Sequence, residues 1–171
     1  MKEKKFTVRQ LAACALVAAL YAAVTIASGP LAYGLVQFRL SEALMVLCWF
    51  EPVLAVGVTL GCFLANLFST VTALDMVVGT LATAIACIAT IRVKNPWLVP
   101  LPNILSNAVL VGGMLAYVMF PDHLLTGFAI AAAQVGFGEL VVMYVLGMPL
   151  LFALRRAGFP KMLRHSAHTA Q

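Results

Sequence analysis

Apolar residues dominate the chain in long runs, separated by short polar clusters. Runs of about 18 or more such residues read as membrane-spanning helices, since hydrocarbon offers the backbone no other hydrogen-bond partner. The first run, Arg9 to Ala27, stops at Ser28-Gly29-Pro30, a helix-ending triplet. A loop leads to the polar cluster Gln37-Phe38-Arg39-Leu40-Ser41-Glu42. From Ala43 to Phe68 the chain is nearly all apolar, broken by Glu51-Pro52. One helix over 39–68 would be about 45 Å long, well beyond a bilayer core of about 30 Å. Two spans hinged at Glu51-Pro52 are therefore expected, the first short or starting before the polar cluster. Further runs cover Leu74–Ile91, Leu101–Phe120 and Gly127–Leu154, the last with a bend at Pro149. The pattern predicts an all-α integral membrane protein, one membrane domain over 1–171. Its six transmembrane helices fall at about 9–27, 36–50, 52–69, 74–91, 101–120 and 127–154.

Composition agrees with lipid as the main solvent. The 171 residues are 63% hydrophobic and 10% charged, with mean hydropathy +1.02, whereas soluble domains carry roughly 25% charged residues. The net charge of +5 resides at the chain ends and in one short loop, so it reads as a topology signal and not as a nucleic-acid surface. Lys2, Lys4, Lys5 and Arg9, then Arg92 and Lys94, then Arg155, Arg156, Lys161 and Arg164 should share the cytoplasmic side. Even numbers of spans must separate these groups, and four followed by two meets that parity. Both termini are then cytoplasmic in a multi-pass cell-membrane protein. The Gln37–Glu42 cluster, Ser69–Leu74 and Pro121–Thr126 face outward. The first run is longer than a secretory h-region of about 7–15 residues and is read as an uncleaved helix.

Chemistry-bearing motifs are few. Cys14, Cys48, Cys62 and Cys87 lie in apolar runs without CxxC spacing and read as small buried hydrophobes. His123, His165 and His168 fall in a loop and the tail, so no metal or cofactor is expected. No GxxxxGK[ST] phosphate loop and no nucleophile–base constellation is present, which argues against an ATPase or an intramembrane hydrolase.

Polar residues inside the runs carry more weight, because an ionisable group at membrane depth costs at least about 2.5–3.5 kcal/mol. The candidates are Arg39, Glu42, Asp75 and Glu139, with Gln37, Asn66 and Asn107 as neutral partners. Arg39 and Glu42, spaced i,i+3, would neutralise each other on a helix face. Asp75 opens the fourth helix and suits an N-cap. Glu51 sits at a turn, where a solvated or capping role is expected. Glu139 stands two or three turns into the last helix with no basic residue near it in sequence. It therefore needs a partner from another helix, a proton or a cationic ligand. The set is acceptor-rich and suits a small, partly cationic solute bearing several N–H donors. Phe38, Trp49, Tyr117 and Phe137 are candidates for a stacking wall. Small residues four apart, including Ala15/Ala19 and Gly57/Gly61, allow close helix approach, and the alanine face of the first helix suits a separate membrane subunit.

Several stretches resemble the QueT family: Gln37-Phe38-Arg39-Leu40-Ser41-Glu42-Ala43-Leu44, Leu60-Gly61-Cys62-Phe63-Leu64-Ala65-Asn66-Leu67, and Leu74 to Thr83. Pro100-Leu-Pro102 with Asn107, and Gly138-Glu139-Leu140 followed by Gly147, continue the likeness. The resemblance implies a six-helix substrate-binding (S) component of an energy-coupling-factor (ECF) transporter. Such a subunit captures a queuosine precursor, above all 7-aminomethyl-7-deazaguanine, from outside. It implies partners as well: a transmembrane coupling subunit docking at Ala15 and Ala19, and two cytoplasmic ATPases. The expected substrate-binding residues are Glu139, Glu42, Arg39, Gln37, Asn66, Asp75, Asn107 and Phe38. An S component for another vitamin and a non-transporting membrane scaffold are the alternative readings.

Overall fold

Thr7 starts the first helix through a reciprocal capping box. Its hydroxyl accepts from the Gln10 amide at 3.3 Å, and the Gln10 side chain accepts from the Thr7 amide at 3.1 Å. The computed structural model describes residues 6–33, 36–69 and 73–159, and among these every regular element is helical. Helix α1 runs Val8–Ser28 and ends at Gly29, whose φ of 48° suits a residue without a Cβ. A 3-10 segment, Leu40–Met45, leads into α2 (Val46–Phe50), followed by α3 (Leu54–Asn66) and α4 (Leu74–Arg92). The fifth stretch joins α5 (Leu101–Ser106) to α6 (Gly112–Met119) through a π-wound segment, Asn107–Val111. The sixth joins α7 (Leu124–Val142) to α8 (Met148–Arg156) through a second one, Met143–Gly147.

Six helical stretches thus occupy the six apolar runs, but they are unequal. Val8–Leu31, Leu74–Arg92, Pro96–Met119 and Pro121–Arg156 are long and apolar enough to cross a bilayer, while Leu40–Phe50 and Leu54–Asn66 are shorter. The second run departs from a helix over 36–50: residues 36–39 are not helical and the next six wind as a 3-10 helix. At about 2.0 and 1.5 Å per residue, 40–50 covers only about 20 Å. Gln37, Arg39, Ser41 and Glu42 are all buried. Irregular backbone at membrane depth is tolerated where protein shields it from lipid, and here the neighbouring helices do so. The chain breaks at Glu51-Pro52 as the sequence predicts, with Glu51 half-buried at the end of α2. Near Pro149, where the sequence predicts a bend, the helix winds as a π segment, Met143–Gly147, just before the proline, which has no N–H to give the helix ladder.

Helices α1 and α3 pack through their small residues. A Cβ on Gly57 would stand 2.6 Å from the Cys14 carbonyl oxygen, and one on Gly61 would stand 2.8 Å from that of Ala18. The opposite face of α1, with Ala15, Ala19 and Ala23, is exposed. At one end of the bundle the Trp49 indole donates to the Val93 carbonyl at 2.8 Å, and Trp97 packs on Phe152 with centroids 5.4 Å apart. The Cys14 thiol donates to Val53 O there, and Phe50 meets Phe159. These contacts draw together the first turns of α1, the α2–α3 hinge and the ends of α4 and α8. Arg9, Arg92, Lys94, Arg155 and Arg156 therefore share one end.

Because the α1–α3 approach leaves no room for a methyl group, Gly61→Ala should destabilise the protein by about 1–3 kcal/mol. Gly113→Ala, whose Cβ would meet only the Phe128 ring at 3.8 Å, should be neutral or slightly stabilising. Unfolding of the two variants in detergent checks the contrast.

Candidate functional site

Helix α1 places Cys14, Ala18, Tyr21 and Thr25 on its buried face, so polar groups appear only in its last turns. There the Tyr21 hydroxyl donates to Glu42 Oε1 at 2.5 Å, and the Thr25 and Ser41 hydroxyls share a hydrogen bond of 2.5 Å. The Thr25 hydroxyl also lies 2.8 Å from Tyr21 O. Together these contacts fasten the 3-10 segment to α1 and hold Glu42 by one oxygen.

Arg39 does not pair with Glu42. That pairing presumed a helix, but Arg39 lies just before the 3-10 segment with φ −84° and ψ 86°. Its guanidinium instead crosses to α4, with Nη2 3.5 Å from Asp75 Oδ2, and lies 5.9 Å from the centre of the Tyr33 ring. Asp75 is no N-cap either: Ala73 holds that position without a side-chain bond. Asp75 is buried in the first turn and also accepts from Ser69 Oγ at 2.8 Å. The Asn66 amide donates to Asp75 O at 3.1 Å. Gly79 keeps space for this group, since a Cβ there would fall 2.7 Å from Asn66 Nδ2 and 3.0 Å from Asp75 Oδ1. Cys62 lies within the cluster, with Thr83 Oγ1 at 3.1 Å, Asn66 Nδ2 at 3.4 Å and Arg39 Nη1 at 3.8 Å from its sulfur. It is buried, as the sequence predicts, but among polar groups.

Glu139 sits midway along the sixth stretch, which starts earlier than the sequence pattern predicts. Its partners are neutral amides: Asn103 Nδ2 donates to Oε2 at 2.8 Å and Asn107 Nδ2 to Oε1 at 3.2 Å. Asn107 also donates to Asn103 Oδ1 at 3.2 Å. Asn107 opens the π-wound segment, a local widening often found at functional sites. The non-helical segment is pressed against α7 next to Glu139, where a Cβ on Gly138 would stand 2.5 Å from Gln37 O.

The seven polar residues singled out in the sequence are all buried, and contacts gather them around the 36–42 segment. Phe38 is half-buried and meets Phe137 edge-to-face at 6.4 Å. Trp49 lies at the basic end and Tyr117 is exposed, so those two form no wall with this pair. Sequence reasoning passed over Tyr21, Thr25, Ser41, Cys62, Thr83 and Asn103. A signal existed for most of them: Tyr21/Thr25, Asn103/Asn107 and Asp75/Gly79/Thr83 share helix faces at i,i+4. Of the seven buried side-chain atoms without a hydrogen-bond partner among the described residues, five belong to this cluster: Gln37 Nε2, Arg39 Nε, Glu42 Oε2, Asn66 Oδ1 and Asp75 Oδ1. The cluster sets three carboxyl groups against one guanidinium, so it can accept a cation and offers both donors and acceptors to a polar ring.

The Arg39–Asp75 pair tests how the cluster is held. Arg39→Met alone should cost about 3–5 kcal/mol of stability, because Asp75 is left buried beside no cation. Arg39→Met combined with Asp75→Asn should recover part of that loss, a coupling read by double-mutant unfolding in detergent.

Comparison with known proteins agrees with this architecture. No solved structure matches the chain. The queuosine precursor transporter QueT of Lactococcus lactis subsp. cremoris (strain MG1363) is 37% identical over 84 residues, 48% of this chain and 49% of that protein. The match thus spans about half the length of that relative. A family model described as QueT transporter matches residues 11–156, which takes in most of the first helix, the buried 36–42 segment and Glu139. A membrane-spanning bundle closed around an acid-rich polar cluster is the form this membership takes, and the chain belongs to the QueT transporter family.

Proposed function

We propose that this chain is the substrate-capturing membrane subunit of an ECF-type importer, taking up a queuosine precursor, 7-aminomethyl-7-deazaguanine or a close deazapurine. One observation carries the reading: a membrane bundle of this family buries Glu42, Asp75 and Glu139 with Arg39 and leaves polar atoms of that set unpaired. Burying such groups is costly, and a cationic, donor-rich ring would offset the cost. Both oxygens of Glu139 are aligned by asparagine amides, which suits two-point acceptance of the N–H groups on a guanine-like edge. Glu42 keeps Oε2 free while Tyr21 holds Oε1, which suits the aminomethyl cation. Arg39 or Gln37 donates to the ring carbonyl, Phe38 with Phe137 covers one side, and Asn66, Asp75 and Asn107 hold these groups in place.

In this reading the basic end with Arg9, Arg92, Lys94, Arg155 and Arg156 is cytoplasmic, as the positive-inside rule requires. Both termini then lie inside and substrate enters from outside. The chain has no phosphate loop of its own, so ATP hydrolysis belongs to two cytoplasmic partners. The exposed Ala15 and Ala19 offer a smooth face to the coupling subunit.

Charge-assisted hydrogen bonds contribute about 1.5–3 kcal/mol each, or roughly 10- to 150-fold in affinity. Glu139→Gln should therefore weaken binding of the aminomethyl compound and of its neutral 7-cyano analogue alike. Glu42→Gln should weaken the aminomethyl compound selectively. Binding by calorimetry or thermal stabilisation reads both, and parental affinity in both variants sinks the assignment. Stabilisation by a flavin or thiamine in place of the deazaguanine would overturn the substrate and keep the transporter. Ala15→Leu with Ala19→Leu should block co-purification with the coupling subunit and leave ligand binding intact. Saturable binding is what a scaffold would lack.

A further inference from the structure

At the basic end a groove of about 610 Å³ opens between the last turn of α4 and α5, lined by residues that flank Asn103 and Asn107 in sequence but include neither. Its wall is aliphatic over Ala89, Leu98, Leu101, Pro102 and Leu105, and three of these leucines are exposed. One mouth is polar: Lys94 and Asn95 line it, and Arg92, outside the lining, ends α4 two residues before Lys94. Both cations are exposed, and among the described residues neither has a carboxylate within salt-bridge distance. The one side-chain hydrogen bond found for Arg92 runs to Ile88 O at 3.5 Å. Trp97, more than half exposed, lies beside the groove, and its carbonyl accepts from the Tyr144 hydroxyl at 3.1 Å. With the Trp49 indole bound to Val93 O nearby, both tryptophans lie at the basic end, and such rings are enriched at membrane boundaries.

A groove that is cationic at the membrane boundary and aliphatic toward the bilayer interior has the polarity of a single lipid. We propose that it binds an anionic phospholipid, with the phosphate on Lys94 and Arg92 and one acyl chain along Leu98, Leu101 and Leu105. Charge complementarity decides the occupant. A zwitterionic headgroup gains little from two uncompensated cations, and a partner's transmembrane helix would leave them without an anion. Basic pockets between helices commonly hold such headgroups, each Lys or Arg contributing about 1 kcal/mol near an anionic surface, or roughly fivefold in affinity. The site shares no residue with the proposed substrate cluster, so the two readings stand or fall separately.

Native mass spectrometry of the purified chain, titrated with phosphatidylglycerol or phosphatidylcholine of matched acyl chains, tests the proposal. The parent should retain phosphatidylglycerol preferentially. Arg92→Gln and Lys94→Gln should each reduce that preference about fivefold, with melting temperature unchanged because both side chains are exposed. Leu105→Trp, which fills the groove, should reduce retention of phosphatidylglycerol while leaving deazaguanine binding as in the parent. Equal retention of the two lipids by the parent, or an undiminished preference in the double glutamine variant, overturns the proposal. So does full competition by glycerol phosphate, which would reduce the site to an anion site. Crosslinking from position 101 to the coupling subunit in place of lipid would make the groove a protein interface and also overturn it.

Discussion

A stretch of chain that is neither helical nor apolar enters a bundle whose solvent is hydrocarbon, and the rest of the structure accommodates it. Residues 36–39 cannot satisfy their own backbone as a helix does, and Gln37, Arg39, Ser41 and Glu42 cannot face lipid. The surrounding helices therefore supply the partners: Tyr21 and Thr25 from α1, Asp75 from α4, and Gly138 as an opening for the Gln37 carbonyl. Shortening of the second and third helices follows from the same constraint. Part of the chain that would have spanned the bilayer is used to build polar surface inside it.

The cluster is built in two halves that the segment joins. Glu42, Arg39 and Asp75 draw on the first four helices, whereas Glu139, Asn103 and Asn107 belong to the last two stretches. The contact of Gln37 O with Gly138 brings the halves together. A buried carboxylate without partners is expensive, and each half supplies partners to its own: Arg39 and Ser69 to Asp75, Tyr21 to Glu42, and Asn103 with Asn107 to Glu139. Both late stretches also carry a π-wound turn, one opened by Asn107 and one just before Pro149. These turns shift which residues face inward without breaking the backbone ladder.

Much of the architecture was legible because lipid imposes simple rules. Six apolar runs gave six helical stretches, and the breaks at Gly29-Pro30 and Glu51-Pro52 fell where the chain lacks a helix former. Glu139 was visible for the same reason, as the one acid deep inside the last run. Pairing was not legible. The i,i+3 rule joins Arg39 to Glu42 only on a helix, and nothing local shows that the polar cluster is held non-helical by neighbours distant in sequence. Asn103 escaped notice as a single asparagine in the first turn of the predicted helix over 101–120, and its role emerges only once Asn107, one turn on, is placed on the same face. Cys62 read as a hydrophobe because its polar surroundings arrive from Arg39, Asn66 and Thr83 through the fold.

Helix α1 shows how one composition serves two surfaces. Its inner face sets Cys14 and Ala18 against Gly57 and Gly61 so closely that the backbones nearly touch, and this positions Tyr21 and Thr25 for the polar segment. Its outer face keeps Ala15, Ala19 and Ala23 free. Close packing between apolar helices in lipid depends on shape, because hydrocarbon competes for every methyl group. A second face of small residues would likewise admit a close-packed helix, and α1 is tied to the cluster through its first. A partner that engaged the outer face would act on the helix that holds Glu42 through Tyr21, and that contact and the polar cluster would be joined through a single rigid element.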